Sequence, residues 1–402
     1  MQPEILAPAG NPEKLELALA YGADAVYAGG QAFSLRALAD NFASDDLIAG
    51  VALTHSYGAR FYATVNIFAH EEDLKQLPPY LESLAEIGVD ALIVSDPGVI
   101  RMARRIVPEL PLHLSTQANC LNSESALLWA EQGVSRIILA RELSLEQIAA
   151  LRLKLPPEVE LEMFVHGAMC LSYSGRCWLS AYLADRDANR GLCAHPCRWQ
   201  YALVEEKRPG EYFPVFEDES GTYVMNSKDL CLIEQLPKLM ELGIASFKIE
   251  GRMKGIHYVA TTTGAYRRVR DAWLSKKGVA EAIAQAKVEL ERVRHRPYTT
   301  GFLLGSPQQN PERSYEKMGH GFVGLALEGG KRARVGVRNY LAAGATIEIA
   351  SPHAPSFQQR NLMFDEEGNP LQVAHANQVV YIEFAQPVEK YSLIRLVEEE
   401  QI

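Results

Sequence analysis

The stretch AEIGVDALIVSDPG, residues 85–98, carries the pattern that decides the fold. An amphipathic segment ends at Ile87-Gly88-Val89, an apolar run follows, and the run closes on Ser95 and Asp96. A glycine there suits the position just past a helix, where the backbone needs positive φ. The short apolar run suits a buried parallel strand. The phrase recurs at Tyr21-Gly22-Ala23, Tyr57-Gly58-Ala59, Gln132-Gly133-Val134 and Leu242-Gly243-Ile244. Eight runs qualify as strands: EILAPAG (4–10), AVYAGG (25–30), RFYATVN (60–66), ALIVSDPG (91–98), LHLSTQ (112–117), RIILARE (136–142), LEMFVHG (161–167) and SFKIEGR (246–252). Strands alternating with helices predict an α/β fold, a (β/α)8 TIM-like barrel, with a doubly wound open sheet as the alternative. The runs end in Gly29, Asn66, Ser95 and Asp96, Ser115 and Gln117, Arg141 and Glu142, His166, and Glu250 with Arg252. A barrel gathers such tips at one face, where active sites form. Some merely cap the next helix, as Ser95 and Asp96 would.

The seventh and eighth strands are too far apart for one crossover. The interval, about 168–245, reads as an insertion over the barrel mouth, with irregular or hairpin structure in EKRPGEYFPVFEDESGTYVMNSKDL (206–230) and a docking helix after it. Past about residue 318 come short β-type runs: FVGLAL, ARVGVR, GATIEIA, QVVYIEF and YSLIRLV. Two domains are expected, a barrel over 1–317 and a small antiparallel β-barrel over 318–402.

The composition, 48% hydrophobic and 22% charged over 402 residues, is that of a soluble globular chain. No apolar run approaches the roughly 20 residues of a membrane span. MQPEILAPAG has no basic region of the kind that opens a secretory signal. A cytoplasmic protein with no membrane partner is expected, in which disulfides are disfavoured. Net charge is −10, yet residues 251–300 hold eleven bases against four acids, a local +7. That is either a patch for phosphates or a set of solvated helix faces and salt bridges. Lys331, Arg332, Arg334 and Arg338 form a second small cluster.

Four of six cysteines fall within VHGAMCLSYSGRCWLSAYLADRDANRGLCAHPCRW, residues 165–199. Cys170, Cys177, Cys193 and Cys197 are spaced C-x6-C-x15-C-x3-C. Four thiolates hold a 4Fe-4S cluster or a structural zinc, and the lack of a tight C-x2-C pair favours the cluster. His195 would serve a zinc site, Cys231 is an alternative ligand, and Cys120 reads as a core residue. Glu162 and His166 are acid–base candidates, although they do not align with Cys170 as a nucleophilic set. No G-x-S-x-G elbow, H-E-x-x-H, dinucleotide-binding fingerprint or phosphate-binding P-loop motif is present.

ADAVYAGG, FYATVNI, DALIVSDPG, HLSTQAN, EMFVHGAMCLSYSGRCWLS, GLCAHPCRW, MNSKDL and FKIEGR together resemble the collagenase-like peptidase family U32. More narrowly they resemble its branch required for tRNA 5-hydroxyuridine. The resemblance covers the barrel and insertion, and continues more weakly through RPYTTGF into the C-terminal domain. It implies oxygen-independent hydroxylation of the tRNA wobble uridine, with prephenate as co-substrate and a 4Fe-4S cluster on Cys170, Cys177, Cys193 and Cys197. It implies iron–sulfur assembly machinery and an electron donor as partners. Some sister branches place the fourth cysteine near Cys231, and the stretch around Lys207 is shorter here than in the longest relatives. Sister branches act on ribosomal RNA or ubiquinone precursors, and the family name keeps a peptidase in view. A zinc-stabilised RNA-binding module without chemistry is a third class. Arg36, Arg141, Arg176 and Arg252 are expected to grip phosphates or carboxylates, with Gln117 and Glu250 beside them and Arg252 counted with Glu162 and His166 as catalytic.

Overall fold

The computed structural model describes residues 2–35, 42–170, 172–199, 227–305 and 321–397, with two-residue strands at 203–204, 212–213, 217–218 and 221–222. Arg36 and the stretch around Lys207 lie outside the described residues.

All eight expected strands form. They are β1 (Glu4–Pro8), β2 (Ala25–Ala28), β3 (Arg60–Val65), β4 (Ala91–Val94), β5 (Leu112–Leu114), β6 (Val134–Ile138), β7 (Glu160–Ala168) and β8 (Ser246–Ile249). Each pairs in parallel with the next, and β8 pairs with both β7 and β1, so the barrel closes. Helices α1 (Pro12–Ala20), α2 (Ser44–Ser56), α3 (Leu77–Ile87), α4 (Pro97–Ile106), α5 (Ser123–Glu131) and α6 (Leu145–Arg152) fill the first six connections. Gly22, Gly58, Gly88, Gly133 and Gly243 all have φ between 70° and 90°, so the recurring phrase is a helix stop feeding a strand. Asp96 accepts from the backbone N–H of Gly98 and Val99, which makes it the cap of α4.

The insertion carries the short helix α7 (Leu179–Ala184) and returns through a strand, Asp229–Cys231, antiparallel to β7. Helix α8 (Leu236–Glu241) then leads into β8. Beyond β8, α9 (Ile256–Ser275) and α10 (Val279–Leu290) cover the outside.

A seven-stranded antiparallel sheet forms the C-terminal region. Its terminal strands, Phe357–Arg360 and Met363–Phe364, are separated by two residues, so the sheet curls back on itself. Val323, Val335, Ile347, Ile349, Ile382 and Ile394 form its apolar core. It docks on the barrel through Leu325 and Leu393 against Leu17, Tyr21 and Ala260.

The barrel interior is not all aliphatic. Below the mouth, Arg136 pairs with Glu4, with Glu160 at 2.6 Å and with Glu162 at 3.3 Å. Lys248 reaches Glu162 at 3.1 Å, and the Tyr62 hydroxyl donates to Glu4. A buried charge survives only when paired and hydrogen-bonded, and this layer supplies the pairs internally.

Candidate active site at the barrel mouth

A cavity opens at the C-terminal ends of the strands. Among the expected strand tips, Asn66, Ser115, Gln117, Arg141, Glu250 and Arg252 line it. The insertion forms the opposite wall, where Cys170, Cys177, Cys193 and Cys197 all face the same space.

Arg252 is buried. Its Nη1 donates to Ser34 Oγ at 2.8 Å and lies 3.4 Å from Thr64 Oγ1, and the two hydroxyls are 2.9 Å apart. Two glycines make room for it. A Cβ on Gly29 would fall 2.4 Å from Ser34 Oγ and 2.7 Å from Arg252 Nη2, and one on Gly10 would fall 2.3 Å from the Arg252 carbonyl oxygen. Arg141 donates to the Ala168 carbonyl at 2.8 Å and stacks over Phe164 at 4.2 Å. Asn66 donates to the Gln117 side chain at 3.4 Å. Arg176 does not line the cavity. Its Nε donates to the Gln117 carbonyl at 2.7 Å and its guanidinium lies over Phe68, so it braces the floor of the mouth.

Lys248 lines the cavity, and reading the residues did not single it out. The signal was available: Lys248 stands two and four residues before Glu250 and Arg252, so alternation along β8 puts it on their face. Burial holds its ammonium below the ordinary lysine range against the pull of Glu162.

The structure places both acid–base candidates off the cavity. Glu162 is sealed beneath the cavity by Lys248 and Arg136, and it does not line the mouth. His166 faces the other side of the sheet. Lys248 pairs with Phe164 and Ile249 with His166, so β7 carries one extra residue there, and the bulge turns His166 outward with Ile249. It packs among Tyr258, Tyr266 and Tyr298, with Nδ1 3.3 Å from the Tyr266 hydroxyl. Burial pushes its pKa down to about 3, so the ring is neutral at ordinary pH and remote from the cavity.

The thiols divide the same way. Backbone N–H groups of Leu179 and His195 point at Cys177 Sγ and Cys193 Sγ, at 3.3 and 3.4 Å. Such bonds stabilise sulfur that carries negative charge. Asn189 pins Cys177 by accepting from its N–H and donating to its carbonyl, both at 3.1 Å. Cys231 instead lies beside Tyr266 on the outer face, 3.9 Å from its hydroxyl, and burial pushes its thiol up to about 11. Cys120 is buried in the barrel core. Among the described residues no three His, Cys, Asp or Glu side chains close on a single metal ion. As a donor set, the four soft sulfurs of one wall suit an iron–sulfur cluster.

The model of Peptidase family U32 matches residues 10–313, and that of the U32 C-terminal domain matches residues 319–395. The chain belongs to family U32. This U32 chain is 40% identical to "tRNA hydroxylation protein P1" of Bacillus subtilis, over 98% of its own length and 94% of the relative's. It is 39% identical to "tRNA hydroxylation protein P" of Escherichia coli, over 87% and 86%. It is 34% identical to the "23S rRNA 5-hydroxycytidine C2501 synthase" of E. coli, over 75% of this chain and 45% of that protein.

Of the two readings of the basic stretch, the structure favours salt bridges for several of its arginines. Arg270 is fully buried against Asp24 at 2.5 Å and the Pro3 carbonyl at 2.9 Å. Arg267 joins Asp24 and Asp271. Arg296 is buried on Asp229 at 2.6 Å, and Arg292 pairs with Glu348 of the C-terminal domain. These cations hold elements together rather than facing a phosphate chain. In the second cluster Arg334 pairs with Glu328 and Arg338 with Glu13.

Proposed function

We propose that this chain is an RNA-modifying enzyme that hydroxylates tRNA, with C5 of the wobble uridine as the position. The observation that carries the reading is a single barrel-mouth cavity lined by four thiols and by Arg141, Lys248 and Arg252. Relatives matched over nearly the full length are named tRNA hydroxylation proteins.

In this reading Cys170, Cys177, Cys193 and Cys197 hold a 4Fe-4S cluster. The place of Cys197 on the cavity wall, with Cys231 behind the sheet, supports Cys197 as the fourth ligand. When bound, the cluster supplies a centre for electron transfer or for polarising an oxygen-bearing group. The protein's own residues bind and orient. Arg141 and Arg252 offer guanidinium forks of the kind that grip carboxylates, and Lys248 adds charge at the floor. A carboxylate-bearing co-substrate such as prephenate fits that lining. Iron–sulfur assembly machinery and an electron donor follow as partners, and the cytoplasm as location.

The test uses cells lacking the chain, complemented with wild type, Cys193→Ala or Arg252→Lys. Nucleoside mass spectrometry of their tRNA should show 5-hydroxyuridine with wild type only. Anaerobically purified wild type should carry about four irons per chain, lost in Cys193→Ala. Zinc or no metal in anaerobic material would refute the cluster, and unchanged tRNA nucleosides would refute the substrate. One contact favours a second reading, a cysteine peptidase: Cys193 Sγ lies 4.0 Å from His195 Nδ1. Cleavage of denatured collagen by metal-free protein, lost in Cys193→Ala, would establish it.

A further inference from the structure

Large side chains that belong in a core stand in water beside the thiol cavity. Among the described residues six aromatic side chains are exposed, and four of them, Tyr173, Trp178, Tyr182 and Trp199, lie in the 172–199 stretch. Trp178 is 76% and Tyr182 88% exposed. The Tyr182 N–H donates to the Trp178 carbonyl at 2.9 Å, so the two stand one helical turn apart on α7. Trp178 sits between Cys177 and Leu179, both of which line the cavity.

The base of this pair is tied down by hydrogen bonds. Asn189 holds Cys177 on both sides, and the Ser180 hydroxyl accepts from the Ala194 N–H at 2.9 Å, tying α7 to the loop of Cys193. Exposed flat rings at a cavity edge bind other flat rings, and each nucleobase has a face to offer. The local charge fits the same occupant. Within 172–199 four arginines stand against two aspartates in sequence, and of these Arg176 is exposed beside the rings while Arg190 is spent on Asp73. An enzyme that acts on a base must also take it out of its stack.

We propose that Trp178 and Tyr182 form a stacking platform for unpaired bases of an RNA loop, held beside the thiol cavity while one base enters it. The inference rests on the RNA-modifying reading above and names the part of the substrate that the mouth grips.

The experiment titrates the full-length protein with two RNAs, a hairpin with a uridine-containing loop and a blunt duplex of equal length. Stacking on an indole quenches its fluorescence, so the hairpin should quench wild type strongly and Trp178→Phe less. Binding of labelled hairpin should weaken about tenfold in Trp178→Ala and again in Tyr182→Ala, with Trp178→Tyr near wild type and duplex binding unchanged. Both side chains are solvent-facing, so circular dichroism should show the variants folded. Equal hairpin affinity in wild type and the double variant would overturn the platform. So would a double variant that binds hairpin normally yet loses tRNA modification, since that assigns the rings to a protein partner. If wild type shows the Trp178-dependent quench but tRNA nucleosides are unchanged by its loss from cells, the platform stands and the tRNA hydroxylation reading falls.

Discussion

Two stretches of this chain are rich in arginine, and what surrounds the cations tells them apart. The stretch at 251–300 has the larger excess of positive charge, and much of it points inward, onto Asp24, Asp229, Glu289 and Glu348. The 172–199 stretch has a small excess and also spends Arg190 on Asp73, but it carries exposed rings at the edge of a cavity. Charge counted along a sequence therefore measures a supply of cations, and burial decides whether a ligand can reach them. An acidic protein can hold a basic segment purely as internal fastening.

The largest expected effect tests that fastening. Asp229→Ala leaves Arg296 buried without its carboxylate, and should cost about 3–5 kcal/mol in urea unfolding. A loss under about 1 kcal/mol would mean that the Arg296 charge reaches water after all.

A smaller effect concerns pH. His257 accepts from Arg395 Nε at 3.0 Å and stacks on Phe322 of the C-terminal sheet. Burial, with Arg395 and Arg292 nearby, pushes its pKa down to about 3 from an ordinary 6.5. The unfolded chain then binds the proton first. Stability is fully present above about pH 6.5 and is lost as pH falls towards 3. His166 contributes in the same window and with the same sign. Unfolding midpoints measured across that range should flatten in His257→Gln and again in His166→Phe. A pH dependence unchanged by both would refute their neutrality in the fold.

The smallest effect belongs to the exposed end of the basic stretch. Lys276 and Lys277 lie in solvent past α9, and Lys276→Ala with Lys277→Ala should move stability by no more than about 0.5 kcal/mol. Their loss should also weaken hairpin RNA binding less than Trp178→Ala alone. The reverse order would restore the basic stretch as an RNA contact.

The fold was legible because its signal is local. Each glycine stop and each apolar run announces one strand, and eight such announcements leave few architectures. The thiols were legible because they cluster in sequence. What escaped depends on side-chain direction. His166 has the residue type of a catalytic base, but one extra residue in β7 reverses its face. Glu162 looked available until Lys248 and Arg136 closed over it. Lys248 looked like one polar residue in an apolar run until alternation set it beside Glu250 and Arg252. Trp178 and Tyr182 read as ordinary large residues, because exposure belongs to the folded surface and leaves no mark on the string.

The strand Asp229–Cys231 has a consequence for assembly. Its register against β7, and its parallel pairing with Tyr298–Thr299, are made by backbone hydrogen bonds that involve none of the four cavity thiols. The end of the insertion is thus fastened to the barrel by the same ladder that builds the barrel. The frame of the mouth is therefore held by backbone pairing that does not run through the thiols.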